Sequence, residues 1–154
     1  MRDNVFLFST VAQVNYFSQV GRLIAEKNNN EATLNVEANS DKENALCIHI
    51  PDSYGETADI LSVVKKAWRI SEERCASPAI KCVFAIVDKT IVGVYEFSKN
   101  ENLGRVIDSY ENGRKELNLK VANLELQVKY LGRKIDLEAT RQPIRYVYIN
   151  DVAK

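Results

Sequence analysis

The stretch "KCVFAIVDKTIVGVYEFS", residues 81 to 98, decides the fold of this chain. Two runs rich in β-branched residues flank the polar pair Asp88 and Lys89, a pattern typical of two strands joined by a tight turn. We therefore predict a β-hairpin over these residues.

The elements around the hairpin follow from the spacing of apolar residues. Further strands are predicted over 4–8, 32–38, 46–50 and 144–150, with a possible short strand within 105–110. Helical periodicity predicts helices over 9–27, 57–69 and 120–132, the last closed by Gly132 at the C′ position, and a short helix between Ser71 and Pro78. The order is mixed, without a βαβ repeat. It favours an α+β fold, a strongly bent mixed sheet or small β-barrel with flanking helices, over a doubly wound parallel sheet.

Length and composition indicate one domain over residues 1–154, with 45% apolar and 27% charged residues. No apolar run approaches the ~18 residues that a membrane span needs, and we read the N-terminus as mature sequence. Cys47, Cys75 and Cys82 lack paired spacing. They fit reduced thiols in a cytoplasmic protein better than a disulfide framework or a zinc site.

The net charge is zero, but it is unevenly distributed. Residues 1–60 carry four Lys/Arg against nine Asp/Glu, whereas residues 113–145 carry eight against four. A basic C-terminal third can meet phosphates. Charges this dispersed are, however, more typical of a solvated mixed surface.

The residues give no catalytic constellation. The single histidine, His49, lies in an apolar strand, where packing is a commoner role than general-base catalysis. Ligand pairs of metal-site spacing are missing, as are GxxxxGK[ST] and GxGxxG phosphate loops. Asp88 is expected to be a turn residue and Glu96 an outward strand residue. We predict no enzymatic activity, no metal and no cofactor.

Binding features are better represented in the C-terminal two thirds of the chain. Aromatic side chains that can stack on bases alternate there with arginines that can pair with phosphates. Packing is the alternative role for each aromatic, because Trp68 falls on the apolar face of its predicted helix and Tyr146 shares a strand face with Tyr148. The residues concerned are Tyr54, Trp68, Tyr95, Tyr110, Tyr130, Tyr146, Tyr148, Arg69, Arg105, Arg114, Arg141 and Arg145.

Residues 46–149 resemble a module that follows GIY-YIG-type nuclease domains in bacterial proteins and also occurs alone. Five pieces carry the resemblance in order: "IHIPDSY", "AWRIS", "CVFAIVDKTIVGVYEF", "RKELNLKVANLELQVKYLGRKI" and "RQPIRYVYI". The chain departs from the pattern at Leu117, Leu119 and the pair Lys89-Thr90, where the module favours Phe, Gly and a hairpin Gly. Residues 1–45 contain no GIY-YIG motif, so cleavage does not carry over.

The resemblance implies a small PUA- or EVE-type β-barrel over residues 46–150, preceded by a strand-helix-strand segment over 1–45. Barrels of this class hold nucleotides or modified bases in a cleft. We therefore expect a non-enzymatic domain that binds nucleic acid or a nucleotide-like ligand, in genome defence or the handling of modified DNA. The expected site has Tyr54 and Trp68 as walls, Arg69 and Arg114 on phosphate or a base edge, and Gln142 and Tyr146 at the rim.

The alternative is a protein-interaction or self-assembly module, encoded by a phage or mobile element. It would form a homodimer through the predicted N-terminal strand and helix, residues 4–27. The zero net charge favours this alternative, because proteins that bind nucleic-acid backbones usually are basic.

Overall fold

The computed structural model describes residues 18–38, 43–50, 64–65, 75, 77–98, 105–107, 116–137 and 143–149. Within them lie two helices with defined bounds, α1 (Ser18–Asn28) and α2 (Leu124–Tyr130). The strands are β1 (Val36–Ala38), β2 (Ala45–His49), β3 (Cys82–Val87), β4 (Thr90–Phe97), β5 (Val106–Ile107), β6 (Glu116–Leu117), β7 (Leu119–Val121) and β8 (Ile144–Ile149). Residues 64, 65 and 75 are also helical.

Six of the described strands form one mixed sheet in the order β1-β8-β2-β3-β4-β7, while β5 pairs with β6 separately. The β2-β3 pair is parallel, and the other four neighbouring pairs of the large sheet are antiparallel. The predicted α+β class is therefore confirmed.

The predicted hairpin is confirmed as β3 and β4, joined by Asp88 and Lys89. Both turn residues have positive φ, 48° and 60°, as two-residue turns of type I′ require. The six residues of β3 are all buried. Such an apolar run fits a central strand with both faces covered.

The predicted helix over 120–132 begins later in the structure, at Leu124. Leu119–Val121 instead pair with β4, and the side chain of Asn123 caps the helix by accepting a 3.0 Å hydrogen bond from the amide of Leu126. The predicted C′ glycine is confirmed, since Gly132 has φ +88° just after the C-cap Leu131. The boundary prediction was wrong because Val121 fits the helical phase while its backbone belongs to a strand.

Helix α2 interrupts an extended segment that runs beside β4. Before the helix, the amide of Ala122 donates to the carbonyl of Val94 (3.1 Å), and after it the amide of Gly132 donates to the carbonyl of Ile91 (2.8 Å). Inside the interruption, Nε2 of the fully buried Gln127 donates to the carbonyl of Val94 at 2.8 Å. The side-chain amide of Gln127 is thus a second donor to the same carbonyl that the Ala122 amide bonds, and it ties α2 to β4.

Residues 132–137, which we call the bridging segment, are hydrogen-bonded on two sides. On one side, the amide of Ile91 donates to Arg133 (2.9 Å) and the amide of Ile135 to Lys89 (2.9 Å). On the other side, Leu34 donates to the carbonyl of Lys134 (2.9 Å) and accepts from Asp136 (3.3 Å). The bridging segment therefore connects the start of β4 with the chain just before β1.

Other predicted elements match the structure where it describes them. The strand predicted over 46–50 is β2, and that over 144–150 is β8. The strand predicted over 32–38 is shorter, with β1 preceded by a single bridge at Leu34. The helix predicted over 9–27 is described from Ser18 onward and ends at Asn28. The predicted strand 4–8 and most of the helices over 57–69 and 71–78 lie outside the described residues.

Helices α1 and α2 are joined through polar contacts beside an apolar core. Nδ2 of the buried Asn28 donates to the carbonyls of Val128 (2.7 Å) and Leu131 (2.9 Å). The backbone of Ala25 lies so close to Gly132 that a Cβ there would come within 2.6 Å of the Ala25 Cα. Below the helices, the ring of Tyr130 packs on that of Phe84 at 5.1 Å between centroids. The α1-α2 contact therefore fixes where the bridging segment begins.

Candidate functional site

Of the six residues predicted for the site, the structure describes Tyr146. The other five lie outside the described residues: Tyr54, Trp68, Arg69, Arg114 and Gln142. Tyr146 lies in β8 with 9% of its surface exposed, and its hydroxyl is 3.2 Å from Sγ of Cys75. In the described part of the chain, this ring packs in the core.

Other residues considered for binding also have packing roles. Tyr95 and Tyr130 are fully buried, which favours the packing alternative for both rings. Nη1 of Arg105 donates to the carbonyls of Cys75 (2.8 Å) and Ser77 (2.7 Å), and its guanidinium lies 4.6 Å from the centroid of the Phe97 ring. Arg105 therefore holds backbone segments together.

Strands β2 and β8 are neighbours in the sheet, and His49 and Ile50 lie beside Pro143 at one end of it. The amide of His49, at the end of β2, donates to the carbonyl of Pro143 at 2.7 Å, just before β8. The amide of Ile50 then donates to the carbonyl of Ile86 at 3.0 Å. The hairpin turn at residues 88–89 follows β3 at the same end of the sheet.

At this end, the hairpin turn and the bridging segment border an open cleft of about 550 Å³. Its volume is within the range of small-molecule sites, roughly 300–1,000 Å³. The cleft is lined by Thr33, Asn35, Asp88, Lys89, Thr90, Lys134, Ile135 and Asp136.

Strand alternation explains why polar side chains line the cleft. Leu34 and Ile135 bridge to each other and are both buried in the core. Because successive side chains of an extended chain point to opposite faces, their neighbours point outward. This places Lys134 and Asp136 on the outer face, beside the turn.

Four charged side chains in the cleft are exposed: Asp88, Lys89, Lys134 and Asp136. Among the described residues, none of them forms an ion pair with another group, whereas Lys120 and Glu96 on the same sheet do, at 3.3 Å. Ammonium groups can donate hydrogen bonds to phosphate oxygens, and carboxylates can accept them from the amino groups of bases. The cleft therefore offers both charges to a ligand.

Sequence reasoning missed this cleft. It treated Asp88 as a turn residue and did not select Lys89 or Lys134. One signal was present in the sequence: a lysine occupies the second position of a two-residue turn, where glycine is preferred. The pairing of Lys134 with the turn was not visible, because it depends on contacts between distant parts of the chain.

Burial shifts the pKa of three titratable side chains on β2 and β3. Burial raises the pKa of Cys47 and of Cys82 to about 12, which keeps both thiols protonated and unreactive. Burial, and secondly the charge of Arg145, lowers the pKa of His49 below its ordinary value. Its Nδ1 is buried without a hydrogen-bond partner among the described residues.

Comparisons with known proteins gave no relative. No protein-family model, no curated protein and no solved structure matches the chain. In the part that the structure describes, no three His, Cys, Asp or Glu side chains form a group that could hold a metal ion, and nothing positive indicates enzymatic activity. None of the described helices is long and apolar enough to cross a membrane.

Proposed function

We propose that this chain is a non-enzymatic binding domain for nucleic acid or a nucleotide-like ligand, which it holds in the cleft at the end of the sheet. The observation that carries the proposal is the cleft itself, with two lysines and two aspartates that have no ion-pair partner among the described residues. A nucleotide offers matching groups, since phosphate is an anion and most bases carry hydrogen-bond donors.

We further propose that the sheet curls into a small PUA-like barrel. Support comes from the bridging segment, whose hydrogen bonds link β4 to the residue that precedes β1 by two positions. Strand directions agree with closure. The bridging segment runs antiparallel to β4 and parallel to the chain at Leu34, and β1 connects through β8, β2 and β3 back to β4. The edge strands of the described sheet are β1 and β7, and a closed barrel has no exposed edge.

The balance of positive and negative charge favours binding of a single nucleotide or base over binding along an extended nucleic-acid backbone. The chain has no net charge, whereas proteins that bind nucleic-acid backbones without sequence preference are usually basic. The cleft lining is itself balanced, with two cations and two anions. A single nucleotide, a flipped or modified base, or a strand end fits such a site better than extended duplex. A role in genome defence or the handling of modified DNA is consistent with such a ligand.

Fluorescence anisotropy with labelled single-stranded DNA, duplex DNA, base-modified duplex and RNA tests the proposal. We expect binding at low salt, with a preference for single-stranded or modified substrates. No binding to any of the four at low salt would refute the proposed function.

A steric variant tests whether the ligand occupies the cleft. Asn35→Trp places a large ring in the cleft, while Ala32→Trp adds the same bulk at an exposed position outside its lining. We expect Asn35→Trp to weaken binding about tenfold or more, equivalent to about 1.4 kcal/mol, and Ala32→Trp to leave it unchanged. Equal effects of the two variants would place binding elsewhere.

Self-assembly is a second candidate function, favoured by exposed apolar side chains on both helices. Leu23 on α1 is 63% exposed, and Leu124 and Val128 on α2 are 47% and 48% exposed. Leu23 belongs to the segment predicted as a dimer seam, and a chain without net charge has little self-repulsion. A second copy of the chain is the occupant that these features favour.

Light scattering tests this second candidate. If the chain dimerises through this surface, Leu124→Gln with Val128→Gln should shift it toward monomer. Glu125→Gln on the same helix is the control and should leave the mass unchanged. A monomeric unmodified chain at high concentration would exclude the second candidate.

A further inference from the structure

The hairpin turn has an unexpected residue at its second position. Asp88 and Lys89 are the two non-glycine residues with positive φ in the described part of the chain. Glycine is preferred at the second position of a type I′ turn, because a side chain there crowds the backbone. A lysine at φ 60° is therefore a strained choice.

Among the described residues, Lys89 contributes to the fold through its backbone. Its carbonyl accepts a 2.9 Å hydrogen bond from the amide of Ile135. Glycine would supply the same carbonyl. The lysine side chain is exposed and borders the cleft. Backbone strain of this kind tends to occur at functional sites, so we sought the role of Lys89 in the cleft.

Lys134 is the second cation of the cleft, and its backbone is held as firmly. It forms an antiparallel bridge with Thr90, the residue after Lys89, and its carbonyl accepts a 2.9 Å hydrogen bond from Leu34. The backbone of both lysines is thus held by hydrogen bonds, and the two residues lie on adjacent sides of one cleft. An anion bound between two such cations is attracted by both of them.

We propose that Lys89 and Lys134 form a phosphate-binding site. Lysine rather than glycine occupies turn position 89 for this purpose, at the expense of stability. This inference rests on the proposed function, because the phosphate is that of the nucleic-acid or nucleotide ligand. Asp88 and Asp136 border the same cleft and disfavour additional anions. The site therefore accepts one phosphate next to donor-rich groups rather than a run of phosphates.

Stability and binding respond in opposite directions when Lys89 is changed. Lys89→Gly keeps the positive φ but removes the strain of a side chain there. It should raise the melting temperature by about 2–4 °C, the shift that a typical stabilising turn substitution gives in a domain of this size. The same variant should bind single-stranded oligonucleotide more weakly. The slope of log K against log salt should decrease in magnitude by about 0.7, the contribution of one phosphate contact.

Lys134→Ala should lower the slope by a similar amount without the gain in melting temperature. Lys81→Ala, at an exposed lysine outside the cleft lining, is the control and should change neither quantity. If oligonucleotide binds but both cleft variants keep the slope of the unmodified chain, the inference is overturned and the proposed function stands. A melting temperature lowered by Lys89→Gly would also contradict the inference, because the lysine would then be structural.

Inorganic pyrophosphate separates this inference from the proposed function. We expect its titration to shift the backbone amide resonances of Lys89 and Lys134 in the full chain, and the Lys134→Ala variant to lose the shift at residue 89. Such shifts without any nucleic-acid binding would retain the phosphate site and refute only the proposed function. If neither amide shifts at millimolar pyrophosphate, the phosphate site is refuted.

Discussion

Gly132→Ala should destabilise the chain strongly, because this position has both a positive φ and a close backbone neighbour. At φ +88° an alanine is strained, by about 1–2 kcal/mol on the scale for left-handed residues. The new Cβ would also meet the carbonyl oxygen and the Cα of Ala25, which are backbone atoms of α1. Since backbone cannot rotate away as a side chain does, α1 must retreat from α2.

The retreat of α1 determines the rest of the loss. The two hydrogen bonds from Asn28 to the carbonyls of Val128 and Leu131 lengthen or break, at about 1 kcal/mol each. The expected total is therefore about 3–4 kcal/mol in the free energy of unfolding. Urea denaturation followed by circular dichroism measures it, with an unchanged m-value as the sign that the unfolding remains comparable.

A double-mutant cycle tests the mechanism. Asn28→Ala alone should cost about 2 kcal/mol, because it leaves two carbonyls without their donor. The double variant should lose about 1–2 kcal/mol less than the sum, since displaced α1 has already lost these bonds. Strict additivity would show that α1 stays in place, and a loss below about 1 kcal/mol for Gly132→Ala would refute the strain as well.

Three further predictions concern titration, anchoring and thiol reactivity. Because burial lowers the pKa of His49, the unfolded chain takes up a proton that the folded chain rejects, so stability should fall as pH drops below about 6.5. His49→Gln should flatten that region of the pH profile, and the imidazole of the only histidine can be followed by NMR. Arg105→Met should cost about 2–3 kcal/mol by urea denaturation, whereas Lys120→Met, at a half-exposed ion pair, should cost less than about 0.5. Cys47 and Cys82 should react with a thiol reagent at pH 8 only as fast as the chain unfolds; fast labelling of either in the native chain would contradict their burial.

Local sequence patterns predicted an element correctly where the pattern fits only one kind of structure. The hairpin was predictable because two β-branched runs surround a pair of turn residues, and this arrangement has few other conformations. Gly132 was predictable as a helix end because glycine tolerates positive φ. The start of α2 was not, since Val121 satisfies helical spacing and strand pairing equally. In the structure Val121 pairs with Tyr95 of β4, so its backbone is a strand.

The cleft could not be predicted from local patterns, because it is formed by contacts across most of the chain. Leu34 and Lys134 are joined by a backbone hydrogen bond although about one hundred residues separate them in sequence. Neither residue is unusual in its own surroundings. The alternation of aromatics and arginines pointed instead to residues such as Arg105, and the resemblance pointed to residues such as Tyr146; both have structural contacts.

Arginine and lysine have different roles in the described part of the chain, and the difference supports the proposed location of the ligand. Arg105 uses the planar geometry of its guanidinium to bind two carbonyls and cover a ring, so it is committed to the fold. Lys89 and Lys134 contribute backbone groups to the hydrogen bonds that join β4 to the chain at Leu34, and among the described residues neither ammonium group has an ion-pair partner. Substitution of either lysine therefore changes the charge of the cleft and leaves these backbone hydrogen bonds in place. Binding at the cleft should therefore be separable from folding by substitution of these lysines, whereas substitution of Gly132 should impair both.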